Sequence, residues 1–147
     1  MPISLYEPYK KHLQFMIDAY NDILDCSVSK YVTAMAHPFS AVACPYPNSI
    51  LYDLMSDDEF KRVFYKTANK GIAVEINTGV FRKLSHSEIE MNPRIRMYKL
   101  AKESGCKFLF GSDAHSNDVH ENYISILQKI TEIVGIKEED ILKISGF

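Results

Sequence analysis

"FLFGSDAHS", residues 108–116, is the stretch on which the reading of this chain turns. An apolar run ends in Gly-Ser-Asp-Ala-His. Residues 107–111, "KFLFG", have the length and composition of a short buried strand. A turn needs no imidazole and a core strand needs no carboxylate. The strand is therefore expected to act as a rigid arm that presents Asp113 and His115 at its end.

Two earlier stretches repeat the pattern. Residues 72–77, "IAVEIN", read as a strand that ends in Glu75-Ile76-Asn77-Thr78. Residues 31–36, "YVTAMA", read as a strand that delivers His37-Pro38. Helices are predicted between them. Ser56 caps one, with Glu59 three residues on as a capping box, and Gly71 stops it after about Lys70. Asn92-Pro93 opens another, which ends at Gly105. A helix over 8–25 carries Leu13, Met16, Ile17, Tyr20 and Ile23 at helical spacing. A further helix is expected from about Asp118 to Val134, before Gly135, and a last short one over Glu138–Ile144. The stretch with Pro38, Pro45 and Pro47, and residues 78–91, "TGVFRKLSHSEIEM", read as loops.

Alternating strands and helices imply an α/β fold with a parallel sheet and right-handed crossovers. Ligands then sit beyond the carboxyl ends of the strands. The expectation is one domain over 1–147, with residues 1–30 a helical lead-in and 31–147 the strand–helix units.

Composition narrows the function classes. Hydrophobic residues make up 46% of the 147 and charged residues 24%, which suits an ordinary globular domain. The formal net charge of -2 carries no basic surplus, so no nucleic-acid or membrane partner is expected. Nine Tyr and eight Phe read as core and half-exposed faces, not as a base-stacking platform. Cys26, Cys44 and Cys106 include no CxxC pair and read as buried or inert thiols of a reducing compartment. Met1 leads through Pro-Ile-Ser to Glu7 and Lys10, unlike a signal peptide, and a cytoplasmic location is expected.

Imidazole nitrogen and carboxylate oxygen are good ligands for Zn, Mn or Fe, and Asp-x-His just past a strand aims both groups into one pocket. His37, Asp113 and His115 are the candidate metal ligands. The bland alternatives are a cap-and-turn pair for Asp113 and His115, a strand-ending residue for His37, and a backbone partner for Glu75. His12, His86 and His120 read as structural or surface residues.

Taken in order, "MAHPF", "VEINTG", Arg82-Lys83 and "GSDAHS" resemble the carboxyl-terminal half of the PHP (polymerase and histidinol phosphatase) superfamily, and its histidinol-phosphatase branch above all. The resemblance spans residues 30–120. It implies a distorted (β/α)7 barrel, here a partial one, and hydrolysis of a phosphomonoester by metal-activated water. His37, Asp113 and His115 match the family's metal ligands, with Asp113 and His115 also the expected catalytic residues. Asn77, Arg82 and Ser116 are the expected contacts to a small phosphorylated substrate, and histidinol phosphate leads the guesses. Arg82 has a plain alternative as a solvated charge.

The chain also departs from the family. No two of its histidines are one residue apart, so the family's His-x-His motif is missing, and a barrel of this kind needs ~200 residues or more. The expected divalent metal (Zn, Mn or Fe) is then held weakly, in part or not at all, and phosphatase activity is expected to be impaired. The alternative is a non-catalytic half-barrel that serves as a binding or relic module. In either case the open edge of the first strand predicts a homo-oligomer, most simply a dimer.

Overall fold

The middle of the molecule is a three-stranded parallel sheet in the order β1 (Ala34–Met35), β2 (Ala73–Asn77), β3 (Phe108–Gly111). The computed structural model describes residues 7–40, 48–114 and 122–144. β2 is "AVEIN". Val74 and Ile76 project to one face and Ala73, Glu75 and Asn77 to the other, as the two-residue period of a strand requires. All but Glu75 are buried, which is the pattern of a central parallel strand covered on both faces.

Helices connect the strands. α1 (Glu7–Asp25) precedes β1; α2 (Asn48–Leu54) and α3 (Asp57–Asn69) lie between β1 and β2. α4 (His86–Glu90) and α5 (Pro93–Glu103) lead to β3, and α6 (Tyr123–Val134) follows it. The protein is thus α/β with parallel strands. Among the described residues the sheet is open and does not close into a barrel. No helix among them is long and apolar enough to cross a membrane.

One apolar core runs through these elements. Phe39, Phe60 and Phe64 meet in an aromatic cluster, with Tyr20 of α1 stacked on Phe39 at 4.9 Å between centroids. Leu13 and Leu24 of α1 are buried beside them, and the Tyr20 hydroxyl reaches Thr67 at 3.1 Å. α1 is therefore part of the packed body, not a lead-in to it.

Several boundaries differ from the sequence reading. The first strand is two residues long, not six, and Ser29–Tyr31 form a 3-10 turn. Ala34 pairs with Ala73, the first residue of β2, and the bond from Ala73 N–H to the Thr33 carbonyl closes the pairing at that end. The loop between β1 and α3 contains α2, whose Leu51 and Tyr52 are buried. The loop after β2 contains a 3-10 turn over Thr78–Phe81 and then α4, which has its own capping box, Ser85 with Glu88. Glu138–Asp140 form only a 3-10 turn, after which Ile141 forms a parallel bridge with Phe108. The open side of β3 accepts it: Leu142 N–H donates to the Phe108 carbonyl at 2.9 Å. α6 begins at Tyr123, and the expected start near residue 118 lies outside the described residues.

Candidate functional site

The carboxyl ends of the three strands bring four of the sequence-selected residues together. His37 follows β1, Glu75 and Asn77 end β2, and Asp113 follows β3. His37 lies between two carboxylates. Its Nδ1 is 2.6 Å from Glu75 Oε2, and its Nε2 is 3.5 Å from Asp113 Oδ1. The backbone N–H of His37 donates to the same Glu75 oxygen at 2.8 Å. Glu75 is thus a backbone partner and an imidazole partner at once.

Two unusual local features allow this. His37 has φ 46° and Asp113 has φ 50°, left-handed values that disfavour side chains with a Cβ. The fold of β1 into its loop nonetheless turns both donors of His37 onto one oxygen. The second feature is Gly111. A Cβ there would lie 1.9 Å from Glu75 Oε1, so the carboxylate crosses β3 only because residue 111 has no side chain. That accounts for the glycine inside "FLFGSDAHS".

The hydrogen atoms follow from the distances. At 2.6 Å, Nδ1–H donates to Glu75. Asn77 Nδ2 is 3.1 Å from the same Nδ1, but its amide orientation is fixed by Gly79 N–H, which donates to Asn77 Oδ1 at 2.8 Å. Two donors then face each other, so the Asn77–His37 approach is proximity and not a hydrogen bond. On the other side of the ring, Nε2 faces Asp113 Oδ1 at 3.5 Å, where a proton or a bound cation would link the two atoms.

That separation suits a metal. Two donors bound at ~2.0–2.2 Å to one tetrahedral zinc lie roughly 3.3–3.6 Å apart. Glu75 on Nδ1 is also the usual second-sphere partner of a ligating histidine, fixing the tautomer that frees Nε2. His37 and Asp113 thus fit one edge of a coordination sphere. Among the described residues, however, no group of three or more His, Cys, Asp or Glu is arranged to hold a metal ion. His115 and Ser116, expected as ligand and substrate contact, lie outside the described residues.

Arg82 is exposed. Its Nη2 donates to the carbonyls of Ser112 and Asp113, at 3.3 and 3.4 Å, and so ties the loop after β2 to the loop after β3. Thr78 Oγ1 donates to the Gly111 carbonyl and reinforces the same junction.

Three more residues belong to this end of the sheet and carried no signal in the sequence. The buried Tyr98 hydroxyl accepts Asn77 N–H at 3.3 Å, and burial pushes its pKa up. Tyr123, at the start of α6, lies near Glu75: burial raises its hydroxyl pKa first, and the Glu75 charge adds to it. Arg94 of α5 lines a small cavity with His37, Asn77 and Tyr98. Cys106 is unconnected with this end: it is buried, donates to the Phe64 carbonyl at 3.3 Å, and burial pushes its thiol up to about 12.

In comparisons with protein-family models, with curated proteins and with solved structures, no match to this chain is found.

Proposed function

We propose that the carboxyl end of the sheet is the site of a metal-dependent phosphoesterase of the PHP type. One observation carries this reading: His37 held by Glu75 on one nitrogen and facing Asp113 Oδ1 at 3.5 Å with the other, a nitrogen–oxygen separation that a single divalent cation would span. The ordered set "MAHPF", "VEINTG" and "GSDAHS" adds the family resemblance, and with it a partial (β/α)7 barrel as the finer fold. Glu75 fixes the tautomer of His37. His37 and Asp113 present a nitrogen and an oxygen to a divalent ion (Zn, Mn or Fe), and His115 would join them. When bound, such an ion supplies Lewis acidity toward a phosphoryl oxygen and toward water. Arg82, Asn77 and Ser116 are the proposed contacts to a small phosphorylated substrate. Histidinol phosphate is the first to try.

A second reading is favoured by the absence of a three-residue ligand group among the described residues. The same scaffold would then bind a partner or ligand without turnover. The exposed edge of β1 further favours association of the chain with itself, most simply as a two-fold dimer.

Titration of the purified chain with Zn or Mn, followed by histidinol phosphate hydrolysis, separates the two readings. The phosphoesterase reading expects metal binding that Asp113→Ala and His37→Ala each weaken at least tenfold, and slow turnover, below the ~1 s⁻¹ floor of ordinary enzymes. Metal affinity unchanged in both variants would overturn the site. Metal binding without any ester hydrolysis would favour the non-catalytic module.

A further inference from the structure

Arg94 is a cation that no carboxylate pairs among the described residues. Among the described residues, Arg96 bonds the Asp57 carboxylate and the carbonyls of Tyr52 and Met55, and Arg82 bonds two carbonyls. Arg94 makes no ion pair among them. Its guanidinium carbon lies 5.1 Å from the centre of the Tyr52 ring, beside the Tyr52 hydroxyl, and the residue is half-buried. From there it lines a cavity of about 10 Å³ with His37, Ser40, Asn77 and Tyr98. That is room for about one water-sized oxygen.

The hydrogen-bonding groups around this space are mismatched in one direction. Arg94 offers several N–H groups and no acceptor. The Asn77 amide, fixed by Gly79, turns its NH2 toward His37 Nδ1, which already carries a hydrogen donated to Glu75. The Tyr98 hydroxyl accepts Asn77 N–H, and among the described residues no acceptor takes its own hydrogen. Donors from three residues thus converge beside the imidazole, in a space sized for one oxygen. Charge-assisted donors around a single oxygen are what an anionic oxygen requires.

We propose that Arg94, with Asn77 and Tyr98, forms a donor pocket that takes one oxygen of a phosphate group beside His37. This deepens the phosphoesterase reading and rests on it. It adds Arg94 to the contacts proposed for the phosphorylated substrate.

The test uses inorganic phosphate and the full chain without added metal, with binding followed by calorimetry and by NMR shifts of the backbone amides. The parent chain is expected to bind phosphate. Arg94→Met should weaken binding about tenfold or more, the loss expected for a charge-assisted contact. Tyr98→Phe should weaken it several-fold. Lys99→Met, at an exposed cation of α5 that does not line the cavity, should stay within about twofold. Thermal unfolding of each variant checks that it folds. If Arg94→Met does not fold, Arg94→Lys decides the matter: it keeps the charge but loses the planar fork, and should weaken binding several-fold. No binding by the parent, unchanged binding in the Arg94 variant, or as large a loss in Lys99→Met as in Arg94→Met overturns the pocket. The two proposals fail separately. Phosphate held through Arg94 with no ester hydrolysed under Zn or Mn sinks the phosphoesterase reading and leaves the pocket standing. Hydrolysis with KM unchanged by Arg94→Met does the reverse.

Discussion

Two corners of this molecule are built on the same hydrogen-bond pattern. At Ser56, the backbone N–H and the hydroxyl both donate to Glu59 Oε2, at 2.8 and 2.7 Å. At His37, the backbone N–H and Nδ1–H both donate to Glu75 Oε2, at 2.8 and 2.6 Å. The surroundings differ. Ser56 has an ordinary extended φ of -71° and its partner is three residues away, on the helix it caps. His37 has φ 46° and its partner is 38 residues away on another strand. The first corner satisfies a helix end by local means that any sequence can adopt. The second needs a left-handed histidine before proline and a glycine on the neighbouring strand. A fold that wanted only a satisfied backbone N–H had the cheaper arrangement to hand. The costly one is retained where side chains of His, Glu, Asn and Asp converge, which is where strained backbone is expected to serve a site.

The strongest way to break this contrast is Gly111→Ala. The added Cβ would lie 1.9 Å from Glu75 Oε1 and 2.9 Å from Cδ, so the carboxylate must leave its place. The expected cost is about 1–3 kcal/mol, the range for forcing one extra carbon into a packed position. Urea unfolding measures it, and the His37 ring resonances should move with it as Nδ1 loses its acceptor. A variant as stable as the parent with an unmoved His37 would mean that the carboxylate never depended on the glycine.

The left-handed positions give a smaller and two-sided comparison. Gly71, in the turn from α3 into β2, has φ 68° and open space around the position of a Cβ. Gly71→Ala therefore meets no clash and should cost about 1 kcal/mol from backbone conformation alone. Asp113 has φ 50° and an exposed side chain whose pairing with His37, at 3.5 Å, is weak. Asp113→Gly relieves the left-handed backbone but loosens the unfolded chain, so stability should change by less than about 1 kcal/mol while metal binding is lost. Equilibrium unfolding of both variants settles the pair. A larger loss of stability in Asp113→Gly would show that the residue holds the fold and not only the site.

The strain was not visible in the sequence, although the residues under strain were. "MAHPF", "VEIN" and "GSDAH" each ended a predicted strand, and the parallel sheet brings those ends together for the reason the sequence supplied: apolar runs alternate with capped helices. The α3 boundaries were legible because Ser56, Glu59 and Gly71 act locally. What failed was non-local. The first strand shrank because β2 starts opposite Ala34. α2 is seven residues long and hidden behind Pro45 and Pro47; α1 and α5 pack against it, and no periodicity of its own announces it. Ile141 joins the sheet because β3 has a free side, a fact about another part of the chain. Arg94, Tyr98 and Tyr123 reach the site from helices whose sequences look like any other helix surface. Their role arises only when α5 and α6 are placed against the strand ends.

The smallest expected effect lies at the ordinary corner. The Ser56 backbone N–H is the main reason that the Glu59 carboxyl is held below its usual range, with the Ser56 hydroxyl second. A carboxyl whose folded pKa is lowered contributes stability above its unfolded pKa and loses it as pH falls through the folded value. Unfolded Glu titrates near ~4.3, so the contribution should be complete at neutral pH and fade in the acid range below that. Glu59→Gln keeps a side chain able to accept in a capping box but removes the charge at the amino end of α3. The side chain is partly exposed and solvent screens it, so the loss at pH 7 should be only about 0.3–0.5 kcal/mol. The gap in urea midpoint between parent and variant should then narrow toward zero as the pH is lowered, because the parent's carboxyl becomes neutral as well. A gap that stays constant with pH would mean the charge plays no part and hydrogen-bond geometry alone makes the cap. That outcome would set the two corners further apart, since the ionised carboxylate would then matter at His37 and not at Ser56.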